Sequence, residues 1–228
     1  MAERLRPVVE AIADDARLDE PIYAVNLLRR RRPWAYDLYN LLAYPTAKRF
    51  GARPLIKGVG GRRSSGATDS QKRAPVPETV LIVGYPDATS FLRMTMNPWF
   101  LLISALRKFG LDDFQFGFTR RLDGGPSHPP SRKSGRMLAL FWPPGAAVEL
   151  AELRQRISAA GSTLVFFGAT KAHLAIKKGD GEPRKTRLAP PLPHGYVAIV
   201  TGHERTLAPV ADDLPPGATM AAIYDRAL

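Results

Sequence analysis

The sequence predicts an α+β fold: two tandem ferredoxin-like βαββαβ repeats that close onto each other as one intrachain α+β barrel. Three observations predict it. The expected elements run strand, helix, strand, strand, helix, strand, and the second half of the chain repeats that order. Long polar insertions open near residues 58 and 177 and the strands after them near 79 and 196, so matching points recur at offsets of 119 and 117 residues. A βαββαβ unit carries helices on one sheet face only, and its bare apolar face must be buried, which a second repeat in the same chain achieves. Residue identity between the halves is weak, so the duplication rests on pattern.

The elements follow in order. Residues 1–20 mix acids, bases and apolar residues and read as a short amphipathic helix. Ile22–Leu28 is a short apolar run with one polar interruption, bounded by Pro21 and a block of arginines, and reads as a buried strand. Pro33 opens a helix carrying Trp34, Leu38, Leu41 and Leu42, with Gly51 as its stop signal. Arg53–Gly58 is a strand, followed by a polar loop rich in Gly and Ser. Thr79–Tyr85 is a strong strand, and Asp87 is the N-cap of a helix that Pro98 interrupts and Gly110 ends. Phe114–Thr119 completes the first repeat, residues 21–121. A Gly-, Pro- and Ser-rich linker spans 122–136. In the second repeat, residues 137–228, strands are expected at Met137–Trp142, Thr163–Phe167 with Ala172–Ile176, Tyr196–Thr201 and Thr219–Tyr224. A bulge is expected at Gly168. Helices are expected at Ala146–Ala160 and, interrupted by Pro209, at Arg205–Leu214.

Composition narrows the function classes. The chain has 228 residues and no cysteine, which removes disulfides, thiolate nucleophiles and Cys-ligated metal centres. Its longest apolar stretches are of core length, far short of the ~20 residues of a membrane span. The N-terminus lacks a signal-peptide pattern, so a cytoplasmic location is expected. The net charge is +12, with much of the positive charge in predicted loops such as Arg29–Arg32, Arg62–Arg63, Lys177–Lys178 and Arg184–Arg187. Such charge steers anionic substrates, holds phosphate-bearing ligands, or simply keeps a basic surface solvated. The four histidines form no metal-ligand spacing, and the glycine clusters lie in hairpins, where they do not make nucleotide loops.

Several stretches of Pro21–Arg121 carry a resemblance: YAVNLL in the first strand, Tyr39 six residues before Pro45, FGARPLIKG, VLIVGYPD, and NPWFLLISALR with Pro98, Trp99 and Arg107. In these the segment resembles the dimeric α+β barrel superfamily, and within it a small uncharacterised family known only as a domain of unknown function. The superfamily includes quinol monooxygenases, haem-degrading monooxygenases, muconolactone isomerase-like enzymes, polyketide cyclases and chlorite dismutases, so the fold alone does not choose a reaction. The resemblance places Asn26 where quinol and haem-degrading monooxygenases carry a pocket asparagine. Those families pair it with a Trp and a His on the second helix. Here that helix has no histidine and Trp99 is out of register, which argues against haem degradation.

The candidate site residues come with alternatives. Asn26 is either a hydrogen-bond donor to a substrate oxyanion or a structural residue bonded to nearby backbone. Asn97 and Trp99 either line a cavity at a helix kink and bind substrate, or Asn97 caps the helix that starts at Pro98 and Trp99 is core. Arg107, eight residues past Trp99 and on about the same face, is either an inward anion-binding guanidinium or a surface base that the helix dipole favours. Tyr39 and Tyr85 are candidate proton donors or amphipathic core residues.

The expected function is a cofactor-independent monooxygenase, isomerase or cyclase acting on an apolar oxygenated substrate in a pocket of the first repeat, with the second repeat as a lid. Asn26 and Arg107 would stabilise negative charge, Tyr39 or Tyr85 would move a proton, and Asn97 and Trp99 would hold the substrate. The alternative is a non-enzymatic protein binding haem or another hydrophobic ligand. A third reading is a nucleic-acid-associated protein, although the basic loops lack the interleaved aromatics of single-strand binders. Internal duplication is compatible with a monomer or a homodimer.

Overall fold

The computed structural model describes residues 20–63, 76–123, 135–174 and 194–226. The expected N-terminal helix and most of the linker and the long second hairpin loop lie outside them. In chain order the elements are β1 (Ile22–Arg30), α1 (Pro33–Arg49), β2 (Arg53–Arg63), β3 (Thr79–Tyr85), α2 (Ala88–Met96), α3 (Pro98–Gly110) and β4 (Leu111–Arg121). Then follow β5 (Arg136–Trp142), α4 (Leu150–Ala159), β6 (Thr163–Leu174), β7 (Tyr196–Gly202), α5 (Glu204–Asp212) and β8 (Met220–Arg226).

All eight strands pair antiparallel in one closed barrel, ordered β1-β3-β2-β8-β5-β7-β6-β4. The first four strands lie together as β4-β1-β3-β2 and the last four as β8-β5-β7-β6. Two seams, β2 with β8 and β4 with β6, join the halves. The second half therefore supplies half of the barrel wall, which corrects the expectation that it lies over the first half as a lid. An antiparallel sheet with an unburied apolar face finds its cover by closing, and closure also removes the free edges.

Alternation along each strand sorts the side chains into an interior and two outer layers. In β5, Met137, Ala139 and Phe141 face the barrel interior, while Leu138, Leu140 and Trp142 face α4 and α5. Both faces are buried, which is why MLALFW reads as an unbroken apolar run. In β1, Val25 and Leu27 point inward, while Ala24 and Leu28 point to the layer under α1, α2 and α3. Asn26, the polar interruption, shares that outer face.

The turns follow local chemistry. Gly51 takes φ +77 just past α1, and Gly161 takes φ +72 at the matching place past α4. Each ends the first helix of its half in a left-handed conformation two residues before the next strand begins. The Asp87 carboxylate accepts from Ser90 N at 2.5 Å, as the predicted N-cap should. β2 runs five residues beyond its expected end, because the segment read as a loop pairs with β8. β6 is one strand, and its irregularity against β7 falls between Leu164 and Phe166, not at Gly168.

An ion pair joins the end of β4 to Asp123, which falls in the segment expected to be linker. Arg121 Nε donates to Asp123 Oδ1 at 2.7 Å and Nη2 to Oδ2 at 3.1 Å. Nη2 also donates to the Val165 carbonyl at 3.0 Å, which ties β4 to β6. Asp123→Ala leaves a desolvated guanidinium without its carboxylate, and should cost about 3 kcal/mol in chemical denaturation. At the other seam, a Cβ on Gly58 would come within 2.6 Å of Met137 Sδ and 2.7 Å of Tyr224 Cβ. Gly58→Ala should therefore lower stability by roughly 1–3 kcal/mol. A denaturation midpoint unchanged in both variants would show that the seams are not tightly packed.

Candidate functional site

The layer between the helices and the outer face of β1, β3 and β4 collects most of the chemistry singled out in the sequence. Tyr36 and Tyr39 lie one turn apart on the inner face of α1, both buried. Tyr85 ends β3 on the same side, and its ring meets Phe91 of α2 edge-on at 5.0 Å. Phe114, Phe116 and Phe118 alternate along β4 and face the same layer, with Phe91 over Phe116 and Phe118 at 5.8 and 4.5 Å.

Arg107 enters this aromatic layer from α3. Its guanidinium carbon stands 5.7 Å from the centre of the Tyr39 ring and 5.3 Å from that of Phe114. It is half-buried, with its charge beside the Tyr39 phenol. Among the described residues no carboxylate bridges it. Trp99 is half exposed, and eight residues at 3.6 per turn set it about 80° around α3 from Arg107. That rotation corrects the expectation that the two share a face.

The tyrosines are held protonated. Burial pushes the Tyr39 phenol up, opposed by the charge of Arg107. Burial also raises Tyr36, helped by neighbouring Tyr39 and opposed by Arg107. Tyr85 is raised by burial and by Tyr39, again against Arg107. Taking a phenolate out of water is expensive, so these groups offer O–H donors and no basic oxygen. Tyr36 was not singled out in the sequence. Its signal was there: it sits three residues before Tyr39, one turn along the same helix face.

Asn26 lies on the same sheet face, opposite Leu81 of β3 and Phe116 of β4. Its Nδ2 donates to the carbonyls of Ala24 at 3.0 Å and Leu81 at 3.1 Å. Both amide hydrogens are thus taken by backbone. What Asn26 can turn toward a ligand is Oδ1, an acceptor, and not the donor anticipated from the sequence.

Asn97 and Trp99 do not join this group. The Asn97 side chain caps α3, accepting from Trp99 N at 3.0 Å and Phe100 N at 3.3 Å. Its extended ψ of 127° is what a following proline imposes. Trp99 Nε1 donates to the Leu42 carbonyl at 3.3 Å, pinning α3 to α1 at the surface. The capping alternative accounts for Asn97, and the substrate-wall reading of Trp99 fails on its outward direction. A shallow cleft in the second half, lined by Val148, Glu152, Leu153, Arg156 and Pro216, offers less. Its Arg156 is already bound to Asp213. Among the described residues no cluster of three or more His, Asp or Glu could hold a metal ion, and no helix is long and apolar enough to cross a membrane.

Neither a known protein family nor a curated protein matches the sequence. Solved structures do show similarity. An anthrone oxidase-like protein is 8% identical, covers 92% of each chain and has a TM-score of 0.49. A protein of unknown function from Rhodopseudomonas palustris is 20% identical over 51% of this chain and 92% of its own, with a TM-score of 0.44. A chlorite dismutase variant from Candidatus Nitrospira defluvii is 6% identical, covering 91% of this chain and 92% of that one, with a TM-score of 0.47.

The tyrosine environment has a pH signature. Phenols raised above the unfolded value of about 10 stabilise the fold fully below that pH, and the contribution is lost as pH rises through the folded value. Stability should therefore fall steeply above about pH 10. The 295 nm difference between wild type and Tyr39→Phe should show no Tyr39 ionisation until the protein unfolds. A Tyr39 phenolate titrating near pH 10 with the fold intact would contradict its burial.

Proposed function

We propose that the chain is a small-molecule enzyme that binds an apolar, oxygenated substrate in the helix–sheet layer of its first half and stabilises an anion formed on it. The observation that carries this reading is Arg107. A guanidinium turned inward costs desolvation, and here its neighbours among the described residues are aromatic faces and a phenol. An anionic oxygen would complete its coordination with a charge-assisted hydrogen bond.

The roles follow from what each group can supply. Arg107 pairs with the enolate or phenolate oxygen, and Tyr39, with Tyr85 or Tyr36, donates neutral hydrogen bonds to it. Asn26 Oδ1 accepts from a substrate hydroxyl. Phe91, Phe114 and Phe116 form the apolar wall. The layer provides positive charge and O–H donors, and the phenols are too weakly acidic to leave a base behind. Suitable substrates therefore give up a proton readily themselves, as phenols, quinols and β-dicarbonyl compounds do, with the proton leaving to solvent. Such an electron-rich anion is the common starting point of oxygenation, isomerisation and cyclisation, and in this reading none of the three calls on a prosthetic group.

The finer architecture belongs to the same proposal. Two ferredoxin-like repeats account for the matched strand orders of the halves and for Gly51 and Gly161 at equivalent helix ends. The family resemblance of Pro21–Arg121 falls on the repeat that carries Arg107. A cytoplasmic location is part of the reading as well.

Thermal stabilisation by a panel of phenols, quinols, β-dicarbonyls and haemin tests it. A phenol or quinol should raise the melting temperature and bind with its own pKa lowered. Arg107→Ala should weaken binding at least about tenfold, and Tyr39→Phe by a smaller factor. Equal stabilisation of wild type and Arg107→Ala would sink the enzyme reading. Stabilisation by haemin alone, with a Soret band, would leave a non-enzymatic ligand-binding protein.

A further inference from the structure

The outer faces of α1 and α3 are apolar where a surface helix should be polar. Trp34, Leu41 and Tyr44 stand out from α1, and Trp99, Leu102 and Phe109 from α3. Leu41, Leu102 and Trp34 are 70%, 67% and 61% exposed. In each helix these positions form a stripe at helical spacing. The helices run antiparallel, so the stripes merge. Trp34 meets Phe109 at 6.0 Å at one end, and Trp99 reaches the Leu42 carbonyl at the other. The inner face of α1 already buries Ala35, Tyr36, Tyr39 and Ala43. A helix apolar on both sides belongs under cover, and α1 is covered on one. Among the described residues, the exposed large apolar side chains lie in the first half, apart from Leu122 just past β4.

The rim of this face is predominantly positive. Arg31 and Arg32 precede α1, Lys48 and Arg49 end it, and Lys108 lies in the last turn of α3. Asp37 is the one acid in α1, and α2 and α3 contain none. The Arg32 guanidinium lies 3.8 Å from the centre of the Phe109 ring, covering an aromatic with a cation. Apposing two copies through this face would set like charges against each other. An anionic surface is the complementary one. Tryptophans with apolar bodies among lysines and arginines are the composition of helices that lie in a lipid interface.

We propose that the outer face of α1 and α3 is a peripheral docking surface for an anionic lipid membrane. The two helices lie flat on the bilayer. Trp34, Leu41, Trp99 and Leu102 enter the headgroup–acyl boundary, and the flanking arginines and lysines pair with lipid phosphates. Attachment of this kind is reversible and weakens with salt. The inference stands apart from the reading of the Arg107 layer on the opposite side of the same helices, and its test measures partitioning, not catalysis.

The three tryptophans make the test specific. Trp34 and Trp99 are exposed while Trp142 is fully buried, so an emission change on adding vesicles reports this face. The full-length protein is mixed with vesicles of phosphatidylcholine alone or with added phosphatidylglycerol, then sedimented and read by tryptophan emission and acrylamide quenching. The expected result is sedimentation with the phosphatidylglycerol vesicles at low salt, a blue shift, and protection from quenching. The double variant Leu41→Glu, Leu102→Glu should lower partitioning at least about tenfold at an unchanged melting temperature, because both residues are exposed. If that variant melts early, Leu41→Ser alone must still weaken partitioning. Protein that stays in the supernatant, or that sediments equally well as the variant, overturns the proposal. So does a wild-type dimer in analytical ultracentrifugation that the double variant dissolves, since the face would then belong to a second copy.

Discussion

Closure of the barrel is the constraint on which the rest of the molecule depends. Eight antiparallel strands can bury one face against themselves only if the two halves meet at both edges, and both meetings are irregular. The β2–β8 register shifts between Val59 and Arg62, and the β4–β6 register between Phe118 and Thr119. Glycine makes these approaches possible. A Cβ on Gly168 would stand 2.3 Å from Thr119 Cγ2, as one on Gly58 would collide with Met137 and Tyr224. Beside the β4–β6 seam, Arg121, Asp123 and the Val165 carbonyl supply the directional bonds that an apolar interior lacks.

Inside the barrel the side chains pack against one another, and outside it the two helix–sheet layers are unequal. Under α4 and α5, Leu138, Trp142, Leu153, Ile157, Phe167 and Leu207 fill the space, and the Trp142 Nε1 donor is satisfied by the Pro216 carbonyl. Under α1, α2 and α3 the layer is aromatic and admits one guanidinium and three protonated phenols. A core built only for stability gains nothing from an inward arginine, which must be desolvated before it can pair. The first half is the one whose helix–sheet layer holds an inward guanidinium beside phenols. Its helices differ in the same sense on their outer side, where they present aromatic and aliphatic side chains in place of the usual polar cover.

Legibility in the sequence tracks how local each signal is. Thr79–Tyr85 was placed residue for residue, because a short apolar run rich in β-branched residues between Glu78 and Pro86 has no competing reading. The Asp87 cap and the Gly51 stop were equally plain, since each depends on the chemistry of one residue and its next few neighbours. β2 was cut short because its last residues, VGGRR, carry no strand pattern and become a strand only by pairing with β8, far along the chain. The Arg121–Asp123 pair was missed for a related reason. Its burial comes from β6 folding over it, and nothing local distinguishes it from surface charge.

The site residues divide along the same line. Asn97 was readable as a cap, because Asn-Pro at a helix start is a local arrangement. For Arg107, Tyr39 and Tyr85 the sequence supplied the helix, the strand and the residue types, and it left open which way each side chain points. Packing of α3 against α1 decided that, turning Arg107 inward and Trp99 outward by the rotation accumulated over eight residues. The sequence by itself determined the order of elements and those ends set by one residue's chemistry, such as the Asp87 cap and the Gly51 stop, because these follow from short-range propensity, whereas the helix expected from Ala146 begins only at Leu150. Only the tertiary structure decided the closure of the barrel, the donors already spent on Asn26, and the meeting of Arg107 with the tyrosines. Those depend on contacts between segments far apart in the chain, and no window of sequence contains both partners.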